Sequence, residues 1–357
     1  MINVTKPFLA PIDEYNKYLD RIWSSNILTN MGPLSNEFEN NLKKYLDVNN
    51  ISFVSNGTIA IQLAIKALNI KGEIITTPFS YVATTSSIVW ENCKPKFVDI
   101  DRESLNIDHN LIENNISRKT KAILVTHVFG NPCNIDNIDK IAKKYNLKVI
   151  YDGAHAFGVK YKDSSVFNFG DISTCSLHAT KLLNSGEGGI VVTNNFKIHE
   201  KIEYMKNFGH DGPEKFHGLG INAKNSEFHA ALGLVNFKYL EKIIKKRKLL
   251  TEVYDNLLNL KKPKWNLNSS KNYSYYPVIF KSENELIKIK NKLENNNIFG
   301  RRYFYPSLNK SLNYVDFSIM ENSEDISKRV FCLPLYYDLE INVVERICSI
   351  INEAIIK

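Results

Sequence analysis

Three short stretches carry side chains that could do chemistry together. Ser55-Asn-Gly-Thr58 lies between an apolar run and an amphipathic one. A glycine turn followed by a hydroxyl residue at a helix start gathers free N–H groups at the positive helix end, which suits a phosphate. The same residues also serve as an ordinary helix cap. Tyr151-Asp-Gly-Ala-His155 follows a second apolar run. An aspartate at a strand's C-terminal end sits on the edge where open α/β sheets bind ligands, though it also reads as a turn cap. Third comes Cys175-Ser-Leu-His-Ala-Thr-Lys181, ahead of Gly186-Glu-Gly-Gly189. A strand over 172–177 would present the Lys181 ammonium at the same edge as Asp152. A phosphate cradle, a carboxylate and a lysine are what pyridoxal phosphate requires. The lysine condenses with the aldehyde, the carboxylate keeps the pyridinium nitrogen protonated, and the helix end holds the phosphate. Partial desolvation beside a cationic ring lowers the lysine pKa, so that it serves as nucleophile and then as base.

The elements that must position these groups alternate along the chain. Short apolar runs at 51–55, 73–77, 96–99, 121–127 and 148–152 predict buried strands. Amphipathic stretches between them, such as 59–68 and 135–145, predict helices. The alternation argues for an α/β fold with a mostly parallel central sheet. Periodicity weakens in the Lys/Asn/Ser-rich stretch 261–272. This predicts a large domain over 1–245 and a small C-terminal α/β domain over 246–357, with a strand at 275–280 and helices at 283–293 and 343–356.

The chain has 357 residues, 43% hydrophobic and 24% charged, which is ordinary globular composition and excludes collagenous and disordered classes. No apolar stretch approaches the roughly 20 residues that cross a bilayer, and the first residues lack a secretory pattern. A cytoplasmic protein is expected. Forty-six basic against 38 acidic residues give +8, part of it in the run 242–248. That run reads as a solvated helix face rather than a nucleic-acid contact. Five widely spaced cysteines without a C-x-x-C pair predict reduced thiols, not disulfides or a zinc site.

The same motifs, with others in order, resemble the DegT/StrS family of PLP-dependent nucleotide-sugar aminotransferases, of fold type I. The match includes Thr29-Asn-Met-Gly-Pro33, Ser55-Asn-Gly-Thr58, Thr77-Pro-Phe-Ser-Tyr-Val-Ala-Thr84 and Pro95-Lys-Phe-Val-Asp99. It continues through Tyr151-Asp-Gly-Ala-His-Ala-Phe-Gly158, Phe169-Gly-Asp171, Ser176-Leu-His-Ala-Thr-Lys181 and Glu187-Gly-Gly189. Asn225-Ser-Glu-Phe-His-Ala-Ala-Leu-Gly233 and Leu333-Pro-Leu335 complete it.

The resemblance implies roles position by position. Lys181 matches the Schiff-base lysine and Asp152 the pyridinium partner. Gly57, Thr58 and Ser176 fall where the family binds the cofactor phosphate. Tyr81 falls where an aromatic stacks on the ring, His155 beside the ring hydroxyl, and His178 near the substrate. Asn222 matches an asparagine that reaches the cofactor phosphate of the neighbouring subunit, which implies a homodimer with shared sites. Glu187 matches a glutamate beside the glycine pair, with a substrate-positioning or structural role. Gly300-Arg-Arg-Tyr-Phe-Tyr-Pro306 sets two arginines among aromatics. Arginine suits a diphosphate and tyrosine a sugar or base, so Arg301, Arg302, Tyr303 and Tyr305 are candidate substrate contacts.

The resemblance is greatest to members that aminate dTDP-4-keto-6-deoxy-D-glucose at C4 for surface polysaccharide. Glutamate would donate the amino group, leaving 2-oxoglutarate and pyridoxamine phosphate as the intermediate cofactor form. Amination at C3 of a dTDP-3-keto-6-deoxyhexose is the alternative within the family. A sugar dehydratase of this fold carries histidine at the lysine position, and Lys181 argues against it. A regulatory or non-catalytic cofactor-binding protein is the alternative of another class.

Overall fold

The computed structural model describes residues 1–356. Seven strands form the central sheet: β1 (Asn50–Val54), β2 (Glu73–Thr76), β3 (Lys94–Phe97), β4 (Thr120–Thr126), β5 (Lys148–Asp152), β6 (Ile172–Ser176) and β7 (Gly189–Thr193). Their spatial order is β1-β7-β6-β5-β4-β2-β3. All neighbouring pairs are parallel except those of β7, which runs antiparallel to both β1 and β6. Two further strands, β8 (Tyr276–Ile279) and β9 (Val330–Leu333), form a separate antiparallel pair.

Eleven helices of eight residues or more accompany them among the described residues. They are α1 (Ile12–Ser25), α2 (Pro33–Leu46), α3 (Gly57–Ala67), α4 (Val82–Trp90), α5 (Ile135–Tyr145), α6 (Phe196–Met205), α7 (Glu227–Phe237), α8 (Leu240–Leu257), α9 (Glu283–Glu294), α10 (Glu321–Arg329) and α11 (Ile341–Ile356). Asparagine and serine begin several of them. The side chains of Asn56, Asn134, Asn195, Ser226 and Ser282 each accept a first-turn amide hydrogen, satisfying a donor that the helix itself leaves free.

The inner strands are buried on both faces because both are covered, whereas β3 exposes Lys94 and Lys96. Ile123 and Val125 join a core with Phe38 and Leu42 of α2, Ile138 of α5 and Leu234 of α7. Their neighbours Ala122 and Leu124 face the other way, onto Ile61 and Ile65 of α3 and Ile202 of α6. This period-two division puts helices on both sides of the sheet. Residue 245 lies inside α8, whose early residues Leu240 and Ile243 belong to the large core. Its later residues Leu250 and Tyr254 pack with β8, β9, α9 and α11. The basic run lies on this helix: Lys242, Lys245 and Lys248 are exposed, but Arg247 is buried and donates to the Ser274 carbonyl at 3.0 Å. All five cysteines are buried and free.

Candidate active site

The C-terminal ends of β5 and β6, the N-terminus of α3 and the segment 301–304 enclose a cavity of about 510 Å³. Gly57, Thr58, Tyr81, Asp152, His155, Ser176, His178, Lys181, Glu187, Arg301 and Tyr303 all line it. Residues scattered over two-thirds of the sequence thus meet at one sheet edge, where crossover connections leave open strand ends.

The cradle at α3 depends on close backbone approach. Asn56 caps the helix by accepting from Ile59 N at 2.9 Å, and its carbonyl accepts from Ala60 N at 3.1 Å. Gly57 and Thr58 line the cavity, and their amides belong to the first turn of α3, which supplies them no intrahelical acceptor, as an anion site requires. A Cβ at Gly189 would stand 2.4 Å from Asn56 O, so only glycine lets β7 pass under this turn. Ser176 supplies a hydroxyl beside them, its Cβ 3.0 Å from where a Cβ of residue 57 would sit.

Asp152 ends β5 and is buried. Oδ2 accepts from Thr84 Oγ1 at 2.7 Å and from Thr126 Oγ1 at 3.3 Å, and Oδ1 accepts from Ala154 N at 3.0 Å. Ser80 links the two threonines, at 2.8 and 3.0 Å. These neutral donors hold the carboxylate without a cationic partner among the described residues, leaving it for a cation in the cavity.

Lys181 is presented by a loop folded on itself. Leu177 N donates to Gly188 O, Ala179 N to Gly186 O, and Lys181 N to His178 O, at 2.7–2.8 Å. Burial pushes the Lys181 ammonium pKa below its ordinary value, and the positive charge of Arg301 acts in the same direction. Tyr303, Asp152 and Cys175 oppose them. His155 is held well below the ordinary imidazole range, by burial first and then by Lys181 and Arg301. Its Nδ1 accepts from Phe129 N at 3.2 Å, so in the neutral ring Nε2 carries the hydrogen. Its ring stands 4.5 Å from that of Tyr275, centroid to centroid. His178 Nε2 lies 3.7 Å from Glu187 Oε1 at the cavity's exposed rim.

The two arginines part company. Arg301 lines the cavity with its guanidinium 4.8 Å from the Tyr303 ring centroid. Arg302 bonds Glu283 at 2.5 Å and the Lys328 carbonyl at 3.2 Å, and it stacks 3.4 Å from the Tyr305 centroid. Neither Arg302 nor Tyr305 lines the cavity, so the structure does not bring these two together with Arg301 and Tyr303. Asn222 also lies elsewhere. It is exposed, and its Oδ1 accepts from Lys224 Nζ at 2.8 Å.

Several contributors escaped the motif reading: Thr84 and Thr126 behind Asp152, and Tyr275, Phe304 and Thr174 in the wall. Thr84 closes a stretch already singled out, and its spacing of three from Tyr81 on a helix start was the available signal. Thr174 Oγ1 is buried without a partner. Together with the free α3 amides, it marks a cavity whose polar groups await a ligand. A dianionic phosphate at α3, a cationic ring nitrogen at Asp152 and an aldehyde at Lys181 fit this donor set.

Residues 11–352 match the DegT/DnrJ/EryC1/StrS aminotransferase family. The chain belongs to that family. It is 42% identical over 363 residues to a dTDP-4-amino-4,6-dideoxy-D-glucose transaminase of Shigella dysenteriae, covering 99% of this chain and 98% of that protein. A transaminase of the same name from Escherichia coli is 39% identical, covering 98% of each. The solved structure of DesI in the presence of its TDP-sugar product superposes with a TM-score of 0.93 at 26% identity, over 99% of this chain and 92% of that one. The protein is accordingly an aminotransferase of the sugar-modifying kind, with the α/β architecture of its relatives.

Proposed function

We propose that this aminotransferase moves the amino group of L-glutamate to C4 of dTDP-4-keto-6-deoxy-D-glucose, giving dTDP-4-amino-4,6-dideoxy-D-glucose. The observation that carries the substrate is the 42% and 39% identity, over nearly whole chains, to two transaminases of that name. The meeting of Lys181, Asp152 and the α3 amides in one cavity supports pyridoxal 5'-phosphate as cofactor, passing through pyridoxamine 5'-phosphate. When bound, that cofactor supplies an electron sink that makes a neighbouring C–H bond acidic.

This chain's residues supply the rest. The amides of Gly57 and Thr58 and the Ser176 hydroxyl bind the phosphate. Asp152, fixed by Thr84 and Thr126, holds a proton on the ring nitrogen. His155 donates from Nε2 toward the ring oxygen, and Tyr81 covers a ring face. Lys181 Nζ, with its pKa lowered by burial, gives up its proton more readily than a solvated lysine and then moves a proton to and from the reacting carbon. Arg301 and Tyr303 receive the sugar nucleotide, and His178 with Glu187 orders the rim.

Asn222 lies outside its own cavity on a segment where Phe208, Phe216 and Leu219 are 50–72% exposed. This supports a homodimer in which that segment is covered and Asn222 reaches the partner's cofactor phosphate. Among the described residues no helix is long and apolar enough to cross a membrane, and the five free cysteines support a reducing, cytoplasmic setting.

The test is incubation with L-glutamate and a panel of dTDP-, UDP- and GDP-linked keto-sugars, with NMR of the product. Amination at C4 of the dTDP-4-keto sugar is expected. Amination at C3, or preference for another nucleotide, would overturn the substrate reading.

A further inference from the structure

The stretch Pro95-Lys-Phe-Val-Asp99 is far from the cavity in sequence role, and no step above uses it. Its aspartate nevertheless holds a helix that packs against the 301–304 wall. Helix α10 begins after Met320, which has no side-chain acceptor to cap it. Asp99, more than two hundred residues earlier, does so instead. Its Oδ2 accepts from Asn322 N at 2.8 Å, and Oδ1 accepts from Ser323 N at 2.9 Å and Ser323 Oγ at 2.6 Å. Asn322 Nδ2 returns a bond to Ile100 O at 2.9 Å. These are the first-turn donors that a helix cannot satisfy itself.

Helix α10 runs directly into β9. There Cys332 and Arg301 exchange both backbone bonds, Arg301 N to Cys332 O at 3.0 Å and Cys332 N to Arg301 O at 2.8 Å. Ile326 of α10 and Val330 and Cys332 of β9 share a core with Ile100, Tyr303 and Phe304. A shift of α10 along its axis therefore carries the 301–304 wall with it.

We propose that Asp99 is a positioning residue for the transamination, placing Arg301 and Tyr303 in the cavity by capping α10. The kinetic arm rests on the reading of Arg301 as a sugar-nucleotide contact; the exchange arm does not. The experiment uses the holoenzyme and the Asp99→Asn and Asp99→Ala variants, alone and combined with Arg301→Gln. Retained visible absorption of the bound cofactor shows that the Lys181 half of the site is intact. Amide hydrogen exchange is expected to quicken at Arg301 and Cys332 while staying unchanged in α3 and β6. KM for the sugar nucleotide is expected to rise about five- to tenfold, the factor one lost cap contact carries, with kcat within about twofold. In the Arg301→Gln background the Asp99 change should raise KM by clearly less than in the parent, whereas distant, independent sites are additive. Unchanged exchange at Arg301 and Cys332, or full additivity, would overturn the proposal. If Arg301→Gln alone leaves KM unchanged, the sugar-nucleotide reading of Arg301 fails, and the exchange result still decides the role of Asp99. Should Asp99→Ala fail to fold, Asp99→Asn, which keeps one acceptor oxygen, carries the test.

Discussion

Thr84 places its hydroxyl 2.7 Å from Oδ2 of Asp152, so a residue on α4 orients the carboxylate that ends β5. A hydrogen bond to a charged group contributes about 1.5–3 kcal/mol. Thr84→Val is therefore expected to lower kcat roughly tenfold, and Asp152→Asn about a hundredfold or more. Steady-state kinetics with saturating glutamate check both. Equal activity of Thr84→Val and the parent would show that the threonine does not tune the carboxylate.

Reactivity of Lys181 should depend on pH with a definite sign. Burial lowers its pKa, and Arg301 lowers it further. The rate at which apoenzyme recombines with pyridoxal phosphate requires the neutral amine. It should rise with pH to a midpoint below the roughly 10.4 of a solvated lysine. Arg301→Gln removes a positive neighbour and should move that midpoint upward. A midpoint that stays put or falls in the variant contradicts the arrangement.

Alternating apolar runs were enough to read six of the seven central strands, helices between them and the sheet's mostly parallel character. β7 was not read as a strand, and its antiparallel direction was not legible either, because periodicity reports burial and carries no direction. The convergence of Asp152 and Lys181 followed from strand ends sharing an edge. Arg301 and Arg302 are chemically alike and adjacent, and only the facing of the backbone separates them. Least legible were partners far apart in the chain, such as Asp99 with Ser323, for which local spacing holds no signal. The composition foretold charge but not that Arg247, within the basic run, turns inward to Ser274 while its lysine neighbours face water.

His127 offers a stability test away from the chemistry. It is fully buried, its Nδ1 accepts from Cys133 N at 3.1 Å, and burial holds its pKa down to about 3. The unfolded chain binds this proton near pH 6.5 and the folded chain does not. The His127 contribution is thus complete above about pH 6.5 and is lost as pH falls toward 3, at up to about 1.4 kcal/mol per pH unit. In denaturant titrations, His127→Asn should flatten the dependence between pH 6 and 4 by about that slope. A parallel dependence in both proteins would mean that the imidazole charges without cost.

Glu227 anchors the start of α2 from α7, its oxygens accepting from Leu34 N at 2.7 Å and Ser35 N at 2.9 Å. Glu227→Gln replaces one acceptor by a donor facing an N–H and should cost about 1–3 kcal/mol. Chemical denaturation measures this directly, and a change within experimental scatter would show that another group takes over the cap.

The central claim is that Lys181 is the residue that engages the cofactor. Borohydride treatment of the holoenzyme, followed by proteolysis and mass spectrometry, tests it most directly. The account predicts a pyridoxyl group fixed on Nζ of Lys181, and none in Lys181→Ala, which should also lose visible absorption and turnover. Label on a different lysine, or full activity in Lys181→Ala, would contradict it.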